Sequence, residues 1–225
     1  MARWLLPVAA VLVLGLAGCP ASRKAGPTTT LPPTALYPSR PPTLPTTCAR
    51  KGRLVFVGMD RLIGITVDEV ARHFHDTYGL PVEVLPAFPS GLLDPAWDPA
   101  TRQLRVEQAI TNLAAHLGPL GDAWVMALVH LDIRVEKATE LGFAFSGRQG
   151  PIILLSLARM ADAQRDGQMD VTLLRARLFK QLARQIGTVY CGLSRKGPPS
   201  SVMREKISVA ADLDSIDEAD WRSEP

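Results

Sequence analysis

Residues 170–187 read DVTLLRARLFKQLARQIG, and the spacing of their apolar members decides what kind of domain this is. Behind Val171, the residues Leu174, Leu178, Leu182 and Ile186 recur at every fourth position, which places them on one stripe of a helix. Asp170 stands where a side chain can accept a first-turn N–H, and Gly187 supplies a stop. Opposite the stripe, Arg177, Lys180 and Arg184 share a face. Two readings of that basic face stay open. It is a solvated surface, or it faces a cleft that holds an anionic group or the chain's own acidic C-terminal segment.

Working upstream, Arg53–Gly58 (RLVFVG) has the composition of a buried strand. Thr66 precedes Glu69 at capping-box spacing, Val67, Val70, Ala71, Phe74 and Tyr78 form one apolar face, and Gly79 ends that helix. Val82–Leu85 predicts a second short strand. The next helix is expected over Thr101–Leu117, with Val106, Ile110, Leu113 and Leu117 inward and Gly118-Pro119 as its stop. Trp124–Leu131 and Ile152–Leu157 have the length and branching of core strands. The order β-α-β-α-β-β-α predicts an α+β fold, an α/β sandwich of a mixed sheet with packed helices. There is no internal repeat. Beyond Met203 the chain turns acidic at Asp212, Asp214, Asp217, Glu218 and Asp220. That pattern predicts a solvated end with a short helix near Ser215–Trp221, Trp221 packing back on the domain.

The chain has 225 residues, 47% of them hydrophobic, enough for one domain with a real core plus additional segments. A net charge of +3 with scattered basic residues argues against nucleic acid as a partner. At the N-terminus, Arg3 precedes an apolar run from Trp4 to Leu16, shorter than the ~20 residues a spanning helix needs. The run ends in Leu16-Ala17-Gly18-Cys19, which resembles the lipobox of bacterial lipoproteins. The resemblance implies removal of residues 1–18 and acylation of Cys19 at its thiol and amine. At ~0.8 kcal/mol per buried CH₂, several acyl chains make a durable membrane anchor. The expected location is the cell envelope, and Pro20 after the cysteine, rather than Asp, points to the outer membrane or cell surface over the inner membrane. Residues 20–47 are rich in Pro, Thr and Ser and predict an extended tether, so the folded domain is expected at 48–225. In a compartment that permits disulfides, Cys48 and Cys191 either pair or remain separate thiols.

Three stretches resemble the archaemetzincin family of zinc peptidases. Asp98-Pro99-Ala100-Thr101-Arg102-Gln103 is similar to the family's Asp-Pro…Arg…Gln-Tyr segment, with Leu104 in place of the tyrosine. Leu131-Asp132-Ile133, followed by Gly142-Phe143-Ala144-Phe145-Ser146-Gly147, resembles a strand ending in aspartate and an aromatic-x-Phe-Gly turn with Ser146 inserted. Ile152–Met160 resembles the apolar edge strand and Ser-x-x-Arg-Leu. The family's active helix reads HExxHxxGxxHC, two histidines on one helical face, a third beyond a glycine turn, and a glutamate that activates zinc-bound water. Aligned on Gly187, with Cys191 on the motif's cysteine, the ligand positions hold Lys180, Arg184 and Tyr190, and the base position holds Gln181. Lys and Arg are cationic at neutral pH, and Gln cannot take a proton from water. Ser201-Val202-Met203 resembles Cys-Val-Met, which makes Met203 the methionine beneath the metal site. No cysteine follows Cys191, so the second site's closing Cys-x-x-Cys is missing as well. The resemblance therefore implies a metallopeptidase frame with no metal, no cofactor and no catalytic residues.

The histidines His73, His75, His116 and His130 form no HExxH and read as surface or capping residues. No GxSxG and no phosphate-binding glycine loop is present. The expected function is a binding module at the envelope, an inactive metallopeptidase-like domain whose partner is an envelope protein or peptide. Two alternatives remain at this stage. One is a hydrolase with a non-standard site drawn from Asp94, His130, Asp132, Glu136 and Glu140; the other is a structural or assembly lipoprotein of a different fold.

Overall fold

The central strands are apolar on both faces, and the architecture follows from covering both. In chain order the computed structural model has β1 (Arg53–Gly58), α1 (Val67–Tyr78), β2 (Val82–Val84), a 3-10 helix (Ser90–Ala96), β3 (Trp97–Asp98), β4 (Gln103–Arg105) and α2 (Val106–Leu117). There follow β5 (Ala123–Val129), β6 (Ile133–Arg134), β7 (Ser146–Gln149), β8 (Ile152–Ser156), α3 (Val171–Val189) and α4 (Ala210–Asp214). The structure describes residues 43–59, 61–136, 144–161 and 168–224. The expected export signal, Cys19, the tether up to residue 42, Glu140 and the Gly142-Phe143 pair lie outside the described residues.

The main sheet has the order β2-β1-β5-β8-β7, parallel except for β7, which runs antiparallel to β8 at the edge. Leu54, Phe56, Met126, Leu128, Ile153 and Leu155 project from one face into a core completed by α1 and α3. Val55, Val57, Val125, Ala127, Ile152 and Leu154 project from the other into a core completed by α2 and the 3-10 helix. The result is a three-layer sandwich with a mixed sheet, the α+β fold expected from the element order. A second small sheet, β3-β4-β6, flanks it. Among the described residues no helix is long and apolar enough to cross a membrane.

The caps read from the sequence at α1 are present. Thr66 and Glu69 exchange hydrogen bonds in a capping box, and Gly79 adopts a left-handed conformation at φ 63°. The start of α2 is corrected from Thr101 to Val106. Arg102 has a positive φ of 57°, and Leu104 pairs with both Trp97 and Ile133, so residues 103–105 serve a sheet instead of a first helical turn. The C-terminal helix is corrected too. It spans Ala210–Asp214, because Asp212 accepts the Ser208 and Val209 N–H groups and starts it early. β7 carried no apolar alternation (SGRQ) and was not expected; polar edge strands give little periodic signal.

Cys48 and Cys191 form a disulfide that closes a sequence separation of 143. Beside it, Ala49 N–H donates to Cys191 O and Lys51 N–H to Tyr190 O, so the segment entering β1 is stitched to the end of α3. A cross-link of this span typically stabilises by ~2–4 kcal/mol. Reduction, or the paired Cys48→Ser and Cys191→Ser substitution, is expected to lower Tm by about 5–15 °C in a calorimetric scan.

Candidate functional site

Helix α3 starts where Asp170 accepts the Leu173 N–H at 2.9 Å. Its apolar stripe packs beneath the sheet, and its opposite face is buried as well. Arg177, Lys180, Gln181, Arg184 and Gln185 are each no more than 4% exposed. The expectation of a solvated face is corrected, and so is that of a solvated acidic end, because each covers the other. Arg177 makes a two-pronged ion pair with Asp214, at 2.8 and 2.7 Å, and donates to Met160 O at 2.9 Å. Lys180 Nζ donates to Leu213 O at 3.0 Å. Arg184 donates to the carbonyls of Val202 (3.1 Å), Glu205 (2.8 Å) and Arg204. Further along, Glu218 accepts from His73 Nε2 at 2.6 Å and Tyr78 Oη at 2.9 Å, and the His73 ring stacks on Phe179 at 3.8 Å. Burial pushes the Lys180 ammonium below its ordinary range, against the raising effect of Asp214, Glu218 and Asp217. Burial, then Arg195 and Arg204, lower the Arg184 guanidinium to about 10, which leaves it cationic at neutral pH.

These residues do not fit zinc. Of the positions that carry ligands in HExxHxxGxxH, Lys180 and Arg184 are hydrogen-bond donors already committed to carbonyls, and Tyr190 is buried in the apolar core. The helix also runs through Gly187 to Val189, and Tyr190 continues in the right-handed helical region. The chain turns only at Gly192, with φ 73°. The sequence reading of Gly187 as the helix stop is therefore corrected. Glycine is required there for a different reason, since a Cβ would lie 2.6 Å from Met203 Sδ and 3.2 Å from the Trp221 ring. Met203 thus lies directly against the helix at the Gly187 position, and Trp221, 5% exposed, packs over the same spot.

Above α3, toward β7, is a cleft of about 290 Å³. Its wall includes Ser146, Gln181, Arg184, Gln185, Arg195, Glu205 and Lys206. Ser146 Oγ accepts from Gln181 Nε2 at 3.0 Å and from Gln185 Nε2 at 2.9 Å. Arg195 donates to Gln185 Oε1 at 2.9 Å and Thr188 Oγ1 at 3.1 Å. Gln181 Oε1 is buried and has no partner. The sequence had singled out Gln181 only as a lost base. Gln185 and Arg195 were missed. The available signal was the Gln181/Gln185 pair at i,i+4, which shares a helix face. Ser146 stood out only as an insertion in a turn.

The other family-like stretches meet in one polar network that holds the fold. Asp132 accepts from Arg159 at 2.9 and 2.6 Å and from Gln103 Nε2 at 3.0 Å. Ser156 Oγ donates to Leu131 O at 2.7 Å, while Asp98 caps the Ala100 N–H and pairs with Arg134. Burial alone would raise the Asp132 carboxyl, but hydrogen bonds from Arg159 and Gln103 together with the Arg159 charge hold it below the usual range. Of the residues considered for a non-standard hydrolase, Asp132, Asp94 and Glu136 have other places in the structure, and Glu140 lies outside the described residues. The Asp132 carboxylate is taken up by Arg159 and Gln103, Asp94 lies in the 3-10 helix, and the Glu136 N–H bonds Glu107. Among the described residues no group of three or more His, Cys, Asp or Glu side chains is placed to hold a metal ion. His75 caps toward Leu80 O, and His116 sits in the last turn of α2.

Three solved structures share this fold. An archaemetzincin from Archaeoglobus fulgidus, complexed with malonate, superposes with a TM-score of 0.58 at 19% identity, over 76% of this chain and 95% of its own. An archaemetzincin from Methanopyrus kandleri gives 0.54 at 20% identity, over 77% and 90%. The domain has the archaemetzincin fold. A zinc-dependent peptidase from Methanocorpusculum labreanum gives 0.59 at 16% identity, over 73% and 94%. No protein-family model matches the sequence, and no curated protein does. The identities are low, so the fold is shared while the chemistry of the archaemetzincin helix has to be read from the residues above.

Two outcomes check this account. Arg177→Ala leaves Asp214 without its partner and is expected to cost about 3–5 kcal/mol in urea unfolding. Because the Asp132 carboxyl is lowered on folding, its contribution is complete above the unfolded value of about 3.9 and is lost as pH falls through the folded value. Asp132→Asn should therefore lower stability at neutral pH and flatten the acid limb of a stability–pH curve below about pH 4.

Proposed function

We propose that this chain is a lipid-anchored envelope protein whose archaemetzincin-fold domain binds an extended polypeptide in the α3 cleft without cutting it, a pseudoenzyme in the peptidase frame. The unpartnered Gln181 Oε1 carries the reading. A buried acceptor left unpaired costs ~1–3 kcal/mol; among the described residues Arg105 Nε, His130 Nδ1, Arg134 Nε and Trp221 Nε1 are also buried without a partner, but of these five residues only Gln181 lines the α3 cleft. Its side chain belongs to the wall of the cleft. Beside it the Ser146 hydroxyl has both lone pairs engaged by glutamine amides, which leaves its hydrogen to donate outward. An acceptor next to a donor is the complement of one peptide group, whose N–H and C=O lie side by side.

The strand that supplies Ser146 supports the same ligand. β7 is the last strand of the sheet. Phe145 accepts from Ser156 across the β7–β8 ladder, so by antiparallel alternation Ser146 and Arg148 turn their main-chain groups to the open side. An extended peptide can add there as a further strand. Cleavage is not supported by the side chains. Gln181 cannot accept a proton, and the neighbouring positions carry permanent donors.

The lipid anchor and envelope location rest on Leu16-Ala17-Gly18-Cys19 and the Pro/Thr-rich tether. Mass spectrometry of the membrane fraction is expected to find an acylated Cys19 at the N-terminus, and a chain retaining Met1 would oppose it.

Metal analysis of the purified protein should give well under one zinc per chain, with Tm unmoved by chelator; one-to-one zinc would sink the proposal. Gln181→Leu loses one hydrogen bond but also removes an unpaired acceptor. It is expected to change stability by less than about 1 kcal/mol while weakening peptide binding roughly tenfold. Equal peptide affinity in both proteins would show that the cleft is not the binding site.

A further inference from the structure

The mouth of the α3 cleft is basic. Arg184 is consumed by three carbonyls, but Arg195 and Lys206 also line the cleft and are exposed, and among the described residues neither makes an ion pair, although the Lys206 charge reaches Asp212. Arg195 spends two of its nitrogens on neutral oxygens, Thr188 Oγ1 and Gln185 Oε1. Arg148 lies two residues after Ser146 on β7, so the pleat brings it to the same face of the strand as Ser146, the face turned toward α3. It is exposed, and after burial its charge is the second cause that lowers the Arg195 guanidinium. Against these stand, among the described residues, the exposed Glu205 of the cleft wall and Asp212, which the Lys206 charge reaches.

An excess of cations is ordinary on a surface. Here they border a cleft that already contains a buried, unpartnered acceptor, and the two observations are independent. The acceptor asks for a neutral amide donor at the floor, and the rim asks for an anion one or two residues along the same ligand. From this we infer that the ligand is an acidic peptide, which lays one peptide group against Gln181 and Ser146 and presents a carboxylate to Arg195, Arg148 and Lys206. The inference rests on the binding reading above and adds the sign of the charge. Arginine suits the task, since its planar fork meets a carboxylate with two parallel hydrogen bonds. Either an Asp or Glu side chain or a free C-terminal carboxylate has the required chemistry.

The test uses the purified full chain and four fluorescein-labelled pentapeptides in an anisotropy titration. One is Ala-Val-Glu-Val-Ala with its C-terminus amidated; two others replace the Glu by Gln or Lys. The fourth is the Gln peptide with a free C-terminal carboxylate. The amidated Glu peptide is expected to bind about tenfold more tightly than its Gln counterpart, and the Lys peptide more weakly than either. Affinity should fall with added salt. Recovery of the tenfold gain in the free-acid Gln peptide assigns the rim to a C-terminal carboxylate, and its absence assigns it to a side chain. Arg148→Glu and, separately, Lys206→Glu should reduce or invert the Glu-over-Gln preference. Both sites are exposed, and a thermal melt verifies that each variant is folded. Equal binding of all four peptides that is still lost in Gln181→Leu overturns the acidic preference and leaves the binding reading intact. No saturable binding of any peptide overturns both.

Discussion

Three cations lie on one buried face of α3, and a buried cation without a partner costs several kcal/mol. That requirement organises the second half of the domain. Arg177 is neutralised by Asp214, whereas Lys180 and Arg184 spend their hydrogens on main-chain carbonyls of residues 202–205 and 213. The C-terminal segment is therefore fixed on the helix by charge-assisted hydrogen bonds as well as by the apolar packing of Leu213, Ile216 and Trp221. Remove the cations and the segment keeps only that packing. Remove the segment and the helix keeps three charges that water has to reach.

In a zinc peptidase of this fold the same helix turns its side chains to a divalent ion, and the ion supplies both chemistry and cohesion. In this chain cohesion is supplied by other means. The Cys48–Cys191 disulfide joins the segment before β1 to the end of α3, and the lysine and arginine heads reach the carbonyls across from them. The helix no longer needs a glycine turn to swing a third ligand inward, so it runs on through Gly187 to Val189. The glycine persists because Met203 and Trp221 leave no room for a Cβ. One residue type thus serves a packing constraint at a position where the family motif uses it for a turn.

Much of the frame could be read in the chain, and the reasons for the misses are physical. The strands Arg53–Gly58, Trp124–Leu131 and Ile152–Leu157 were legible because burial on both faces makes continuous apolar runs, and α1 because its capping box and terminal glycine are local signals. The start of α2 was misplaced because Gln103–Arg105 answers to distant pairing with Ile133 and Arg134, not to its own propensity. β7 was missed because an edge strand of SGRQ buries little. At the cleft, the loss of zinc ligands was legible from residue type alone. What replaced them was not, since neither solvation of a basic face nor its pairing with acids forty residues on leaves a mark on the helix itself. The acidic run from Asp212 to Asp220 was visible, but its docking depended on tertiary contacts that periodicity does not encode.

The distinction that matters for function is between polar groups the fold has satisfied and those it has not. Arg177, Lys180 and Arg184 look at first like the remains of an active site, yet each is fully engaged within the chain and has little left for a ligand. Asp132, the family-like aspartate, is likewise consumed by Arg159 and Gln103. Gln181 differs, because its amide nitrogen is used while its buried oxygen has no partner among the described residues, and its side chain belongs to the cleft wall. A leucine at that position would remove the unmet acceptor but also the hydrogen bond to Ser146. The unmet acceptor therefore directs attention from the buried cations to the ledge formed by Ser146, Gln181 and Gln185.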